Sequence, residues 1–234
     1  MNLIILENDT IKESIAEITG NKLEHILTFI KPAIGDKLKV GVLNGLTGYG
    51  TVSEINERRI ILRIDLQYPP PEPLPLKLVI AMPRPKVLNR IIQHSAAMGI
   101  KEIFIIKTWR VEKSYWNTPA LNEINLKNQM IAGLAQSKDT ILPTIKVKKF
   151  FKPFVEDELQ DIIEGSLALV AHPISKNDAP RSVNKPVTLA IGPEGGFIPY
   201  EIEALEKIGF KSISLGERIL RVETALPYLI GRLF

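Results

Sequence analysis

The 234-residue chain contains no cysteine, which excludes disulfides, zinc–thiolate sites and cysteine nucleophiles. Histidine is nearly absent as well. The three present, His25, His94 and His172, lie far apart in sequence and make a poor ligand set, so no metal is expected. No apolar run approaches the roughly 20 residues needed to span a bilayer, and no membrane partner is expected. The opening Met1-Asn-Leu-Ile-Ile-Leu run is too short for a secretory signal and has no basic flank. A cytoplasmic location is therefore the default expectation. A strong excess of one charge sign is missing too: 30 Lys and Arg stand against 26 Asp and Glu, a net charge of +4.

That small excess is unevenly spread. Residues 1–75 hold 8 basic and 10 acidic side chains, whereas residues 76–234 hold 22 and 16. A basic second part permits nucleic-acid binding without demanding it.

What is abundant is punctuation. Tyr68-Pro-Pro-Pro-Glu-Pro-Leu-Pro75 has five prolines in eight residues, a stiff, donor-poor stretch that reads as a linker between a domain at 1–70 and another at 76–234. The first domain shows short β-like runs, Leu38–Leu43, Gly50–Ile55 and Ile60–Ile64, after a helix-like stretch at Lys22–Ile30. Leu46-Thr-Gly-Tyr-Gly50 reads as a hairpin turn.

The second domain alternates. Leu76–Met82, Ile103–Lys107, Ser166–His172, Val187–Ile191 and Ser212–Leu215 read as strands. Helices are predicted at Pro85–Met98, Thr118–Gln136 (capped by Thr118), Lys152–Glu164, Pro199–Ile208 and Thr224–Phe234, with Gly99, Gly165 and Gly209 as stops. Strands alternating with helices imply an α/β fold with a parallel sheet.

Two loops at the ends of predicted strands carry the chemistry. In Ile191-Gly-Pro-Glu-Gly-Gly-Phe197, glycines allow close backbone approach to a ligand. Glu194 at its centre, with no Lys-Ser/Thr following, argues against a phosphate cradle and for a neutral or cationic ligand. The same glycines would also serve a tight strand–helix turn that binds nothing. The second loop, Leu215-Gly-Glu-Arg-Ile-Leu-Arg-Val-Glu-Thr-Ala225, gathers Arg218, Arg221, Glu223 and Thr224. Arg221 suits bidentate donation to a carboxylate, phosphate or base edge. Equally, Thr224 could cap the last helix and Glu223 could pair with an arginine.

Together the two loops, with the glycine turn Lys207-Ile-Gly-Phe210, His172-Pro173 after a strand, and Gln136 followed by Pro143, resemble the SPOUT methyltransferases and, within them, the RsmE family of 16S rRNA uridine-N3 methyltransferases. The resemblance implies a small PUA-like β-barrel that binds RNA, followed by an α/β parallel sheet with a C-terminal trefoil knot. It implies a homodimer with S-adenosylmethionine in the knotted loops, and 16S rRNA or the small ribosomal subunit as partner. By position, Leu169, His172, Gly192, Glu194, Gly195, Gly196, Leu215, Gly216, Ile219, Leu220 and Thr224 would hold the cofactor. Arg221 would be the catalytic cation and Glu223 the acid beside it.

The chain departs from that family in the middle of the second domain. Arg84 is followed by Pro85-Lys-Val instead of a Gly-Glu-Lys run, and Ala97-Met-Gly99 lacks the usual acid. Ala135-Gln-Ser-Lys-Asp139 replaces a Glu-Gln-Ser-x-Arg pattern, so Ala135 and Asp139 stand where a glutamate and an arginine are usual. These substitutions leave open a different RNA target, or a weakly catalytic RNA-binding protein of ribosome assembly.

Overall fold

In the computed structural model, which describes residues 2–234, no helix or strand forms over residues 69–75. Contacts divide the chain there into two units. The first runs to Glu72 and also takes in Ile131–Leu142; the second comprises Pro73–Met130 and Pro143–Phe234.

The first unit contains strands β1 (Ile4–Leu6), β2 (Ile11–Lys12) and β3 (Ile15–Ile18), helix α1 (Gly20–His25) continued by a π-helical turn at Ile26–Ile30, then β4 (Lys37–Val42), β5 (Thr47–Ile55) and β6 (Ile60–Tyr68). They form one six-stranded sheet in the order β1-β4-β5-β6-β3-β2. All pairs are antiparallel except β1–β4. In β3 buried and exposed residues alternate, as expected of a sheet with one wet face. The buried set, which includes Leu6, Ile18, Leu23, Ile26, Val40, Val52 and Leu62, forms a single core.

The predicted turn at Leu46–Gly50 is displaced. The turn occupies Leu43–Gly45, with Asn44 at φ 59°, and Thr47–Gly50 already belong to β5. Gly48 is needed for a different reason. A Cβ there would lie 1.9 Å from the Asp65 carbonyl oxygen, beside a register shift between β5 and β6. The glycine thus serves a bulge and a close strand approach.

The second unit contains β7 (Leu76–Ala81), α2 (Pro85–Ala97), β8 (Glu102–Ile106), α3 (Glu123–Ser137, whose last residues from Ile131 group with the first unit), β9 (Thr144–Lys148), α4 (Phe151–Pro153), a π-helical stretch at Phe154–Leu159, α5 (Gln160–Ile163), β10 (Leu167–Ala171), β11 (Val187–Ile191), α6 (Pro199–Lys207), β12 (Lys211–Ile213) and α7 (Val222–Leu233). The six strands form a parallel sheet in the order β12-β10-β11-β7-β8-β9. The α/β parallel sheet expected from the alternating pattern is therefore present. β11 is buried at every residue and β7 at all but Lys77, the signature of strands covered on both faces. Gly99, Gly165 and Gly209 end their helices at φ 82°, 71° and 111°, which a Cβ would oppose.

In the second unit, two further details differ from the sequence reading. Thr118 does not cap the long helix. Its hydroxyl accepts from Ala120 N–H at the start of a short 3-10 turn, Pro119–Leu121. Asn122 then accepts from Ile124 N–H, and α3 begins at Glu123. The unpredicted β9 is an edge strand in which lysines break up a short apolar run.

Within the first unit, Leu3 N–H donates to Ala135 O, and Asn44 N–H to Thr140 O. Asp139 is 3% exposed, and its Oδ1 accepts from Ile141 N–H. The acid that replaces an expected arginine is thus a buried turn residue.

Starting from β7 the sheet grows outward through β8 and β9. It then restarts on the other side with β11 beside β7, and β10 and β12 beyond it. Ligand crevices in open α/β sheets lie outside the carboxyl ends of strands where the order reverses in this way.

Candidate active site

A cavity of about 220 Å³ opens at the carboxyl ends of β10, β11 and β12. Three chain segments wall it: Ala171–Pro173, the glycine loop after β11, and the loop from Leu215 to Val222 that leads into α7. Of the predicted site residues, His172, Gly192, Glu194, Gly196, Leu215, Gly216, Ile219, Leu220 and Arg221 line it. The topology brings these together from three separate stretches of chain, the first and last of them more than 40 residues apart.

The other four lie elsewhere. Leu169 is 2% exposed inside β10, where it pairs with Leu189 and Lys211 as core. Gly195 turns toward Arg110: a Cβ would meet the arginine Cδ at 3.1 Å, and the Gly195 carbonyl accepts from the Arg110 guanidinium. Glu223 and Thr224 fall in the first turn of α7 and do not line the cavity. The N-cap of α7 is Arg221, not Thr224. No salt bridge among the described residues joins Glu223 to Arg218 or Arg221. Conversely, Ala171, Pro173, Ile191, Pro193, Ile213, Arg218, Val222 and Ala225 also line the cavity. Several were legible as strand ends or as members of the second loop.

The glycines divide by what they do. Gly196 (φ 71°) and Gly216 (φ 102°) sit in left-handed backbone, and a Cβ on either would point into open space within 4 Å. Both line the cavity, so both leave room for a ligand to approach the main chain. Gly192 is tight, with a Cβ 3.1 Å from the Phe197 ring. It serves the turn.

The glycine loop is fastened from outside. Glu194 Oε1 accepts from Arg84 N–H (3.2 Å) and lies 4.0 Å from the Arg84 guanidinium. Arg84 in turn lies close to Tyr115, whose phenol donates to Glu112 (3.1 Å). That phenol is held above its ordinary pKa by burial first and by Glu112 second, with Arg84 opposing. Glu201, only 3% exposed in α6, accepts from Ile198 N–H (3.0 Å) and from Trp109 N–H (2.7 Å). A buried carboxylate with two backbone donors is compensated for its lost water. Arg221 is placed differently: it stands exposed at the positive end of the α7 dipole.

The walls are mostly apolar, with His172, Glu194 and two arginines, Arg218 and Arg221, among them, which suits a small organic ligand with both apolar and polar parts. Among the described residues no group of three or more His, Asp or Glu could hold a metal ion, and no helix is long and apolar enough to cross a membrane.

Fold and site define an α/β enzyme with its ligand cavity at the carboxyl edge of a parallel sheet. Comparison with known proteins gives the family. The RNA methyltransferase domain model matches residues 70–233, and the chain belongs to that family. Ribosomal RNA small subunit methyltransferase E of Treponema pallidum is 28% identical over 232 residues, covering 96% of this chain and 87% of its own. Ribosomal RNA small subunit methyltransferase E 1 of Borreliella burgdorferi is 28% identical over 225 residues, covering 96% and 94%. The RsmE resemblance read from the two loops is borne out by these relatives. The fold is shared with a Neisseria gonorrhoeae ribosomal RNA small subunit methyltransferase E solved with S-adenosyl methionine, at TM-score 0.74, 17% identity and coverage of 97% and 95%. It is also shared with a Legionella pneumophila protein solved with bound SAM, at TM-score 0.75, 23% identity and coverage of 98% and 97%.

Proposed function

We propose that the protein methylates N3 of a uridine in 16S rRNA, using S-adenosylmethionine held in the β10–β12 cavity. The observation that carries this reading is the convergence of both loops on one cavity, with the open faces of Gly196 and Gly216 inside it and Arg221 at its rim. The donor set fits the cofactor. Ile191, Ile213, Leu215 and Leu220 offer apolar surface for an adenine, while main chain at the two open glycines can approach it closely. Bound there, S-adenosylmethionine supplies an already activated methyl group.

The chain's own part is placement and charge. Uridine N3 carries a proton that is acidic only well above neutral pH, so the site must remove it and stabilise the negative charge left on the flanking carbonyls. Arg221 at the N-terminus of α7 meets the second need with both a guanidinium and a helix dipole. Glu223, two residues on in the first turn of α7 and half-buried, is the acid in reach of that end, although it does not line the cavity.

Other features support the wider family picture as part of the same proposal. The segment after β10 runs beside β12 (His172 N–H to Ile213 O, Ala179 N–H to Ser214 O) and beside the end of α7 (Val183 N–H to Leu233 O, Arg232 Nε to Ala179 O). Such wrapping is consistent with a last helix threaded as a trefoil knot. The mostly antiparallel sheet of the first unit is offered as the PUA-like, RNA-binding part. Exposed Ile219 (80%), which lines the cavity, and Tyr228 (49%), farther along α7, suit burial in a homodimer. A cytoplasmic location follows from an rRNA substrate.

Calorimetric titration with S-adenosylmethionine tests the cofactor; no binding at millimolar concentration overturns the enzyme reading. Nucleoside mass spectrometry of rRNA from a deletion strain tests the target. N3-methyluridine persisting in 16S rRNA would point to a different RNA.

A further inference from the structure

Trp109 is the most unusual exposed side chain near the site. It is 80% exposed, yet its backbone is tied to the second unit's interior. Its N–H donates at 2.7 Å to Glu201, a carboxylate 3% exposed, and the next residue, Arg110, donates to the Gly195 carbonyl of the glycine loop. An indole held out in water from a fixed main chain, with no neighbouring side chain to cover it, has a large apolar face and little entropy left to lose on contact. Cations surround the same loop. Arg110 follows directly, and Arg84, 69% exposed, binds Glu194 one residue from Gly195.

Trp109 follows β8, and the cavity lies beyond β10–β12. β8 and β11 flank β7, so the glycine loop separates Trp109 from the cavity along one edge of one sheet. A chain of nucleotides that brings one base to the cavity from the β8 side passes along this edge. An aromatic face between guanidinium groups is the chemistry that holds an unpaired base and its phosphates. Resting on the RNA methyltransferase reading above, the geometry points to Trp109 as the stacking platform for an unpaired nucleotide beside the target uridine, with Arg110 and Arg84 contacting the flanking phosphates. In this role Trp109 positions RNA and does not touch the methyl donor.

The test uses the full-length protein carrying Trp116→Phe, which leaves Trp109 as its single tryptophan. Titration with a single-stranded oligouridylate should quench the remaining fluorescence, and an RNA duplex of equal length should not. No quenching, or equal quenching by both, overturns the proposal. With in vitro transcribed small-subunit rRNA, Trp109→Ala should raise KM about tenfold or more, as expected for loss of one stacked base, with kcat within about threefold. Trp109→Phe should restore most of the loss. Unchanged KM in Trp109→Ala overturns the platform while leaving the methyltransferase reading intact. A wild-type protein that binds no S-adenosylmethionine would instead fail the reading on which the platform rests. A changed sedimentation coefficient for Trp109→Ala would assign the indole to a second copy of the chain, and also overturn the proposal.

Discussion

The two loops that wall the cavity are built on opposite principles. The glycine loop is locked from behind: Glu194 to Arg84, Gly195 to Arg110, Gly196 N–H to Pro193 O, and the following helix clasped through Glu201. The arginine loop has almost nothing of the kind. Between Leu215 and Arg221 the fastenings are all local: Gly216 N–H and O both meet the Ser214 hydroxyl (3.1 and 3.3 Å), Arg221 O accepts from the first turn of α7, and residues 216–219 are all exposed. One wall is preformed and the other has few internal restraints. Preorganisation lowers the entropic cost of binding a small ligand, so the first wall suits the cofactor side. A loop with few contacts is drawn from the low-stability end of a structure, which suits a wall that closes once RNA, cofactor or a second copy arrives.

The comparison is most sharply tested at Arg221. Arg221→Ala should lower kcat by about a hundredfold or more, the range for losing one charge-stabilising donor, while S-adenosylmethionine affinity stays within about tenfold, roughly 1.4 kcal/mol. Steady-state kinetics paired with calorimetry separates the two. A fully active variant removes Arg221 from the chemistry and leaves the second loop merely a lid.

Gly216 comes next in size. Valine there forces a β-branched residue into φ 102° and projects its side chain into the cavity. Cofactor affinity should fall about tenfold or more by calorimetry. Gly195→Val should do less, because the added atoms meet the movable Arg110 side chain and not the cavity. Equal losses would mean that the two loops do not divide the work as their geometry suggests.

These positions also show how far sequence could be read. The parallel sheet was legible because Leu76–Ala81 and Val187–Ile191 are apolar runs broken by one polar residue each, Lys77 and Thr188, a pattern typical of doubly covered strands. The pocket was legible through residue types at loop positions, Gly192 to Gly196 and Leu215 to Arg221. The direction in which each glycine faces was not. Gly195 and Gly196 are neighbours of one type, and only their φ angles and surroundings separate a cavity lining from an arginine contact. The short strands β1 to β3 and β9 were missed because two to five residues carry too little periodicity to stand out. The clasp through Glu201 and Trp109 spans 92 residues, and no local pattern encodes a bond of that kind.

Breaking that clasp should bring the two walls closer in behaviour. Glu201→Ala leaves the half-buried Trp109 and Ile198 amides without their acceptor, a loss of about 1 kcal/mol, the low end of the range for unsatisfied donors. A lower Tm is expected, with backbone amide exchange over residues 192–197 rising toward that over 215–221. If exchange in the glycine loop does not change, its rigidity comes from its own turn and not from the clasp.

The smallest effect is expected at Glu194. Its pairing with Arg84 involves side chains 35% and 69% exposed, and exposed pairs contribute about 0–1 kcal/mol. Glu194→Gln keeps an oxygen to accept from Arg84 N–H, so the loop should hold its shape and stability should barely move. The substitution therefore isolates the charge that the sequence suggested would favour a cationic ligand. A sulfonium cofactor near this carboxylate should lose a few-fold in affinity on Glu194→Gln, with the difference shrinking as salt is raised, because exposed charges are screened beyond about 10 Å at 0.1 M. An affinity unchanged at low salt would place Glu194 wholly on the Arg84 side of the loop. The locked wall would then meet the cofactor through its glycine backbone and apolar neighbours alone.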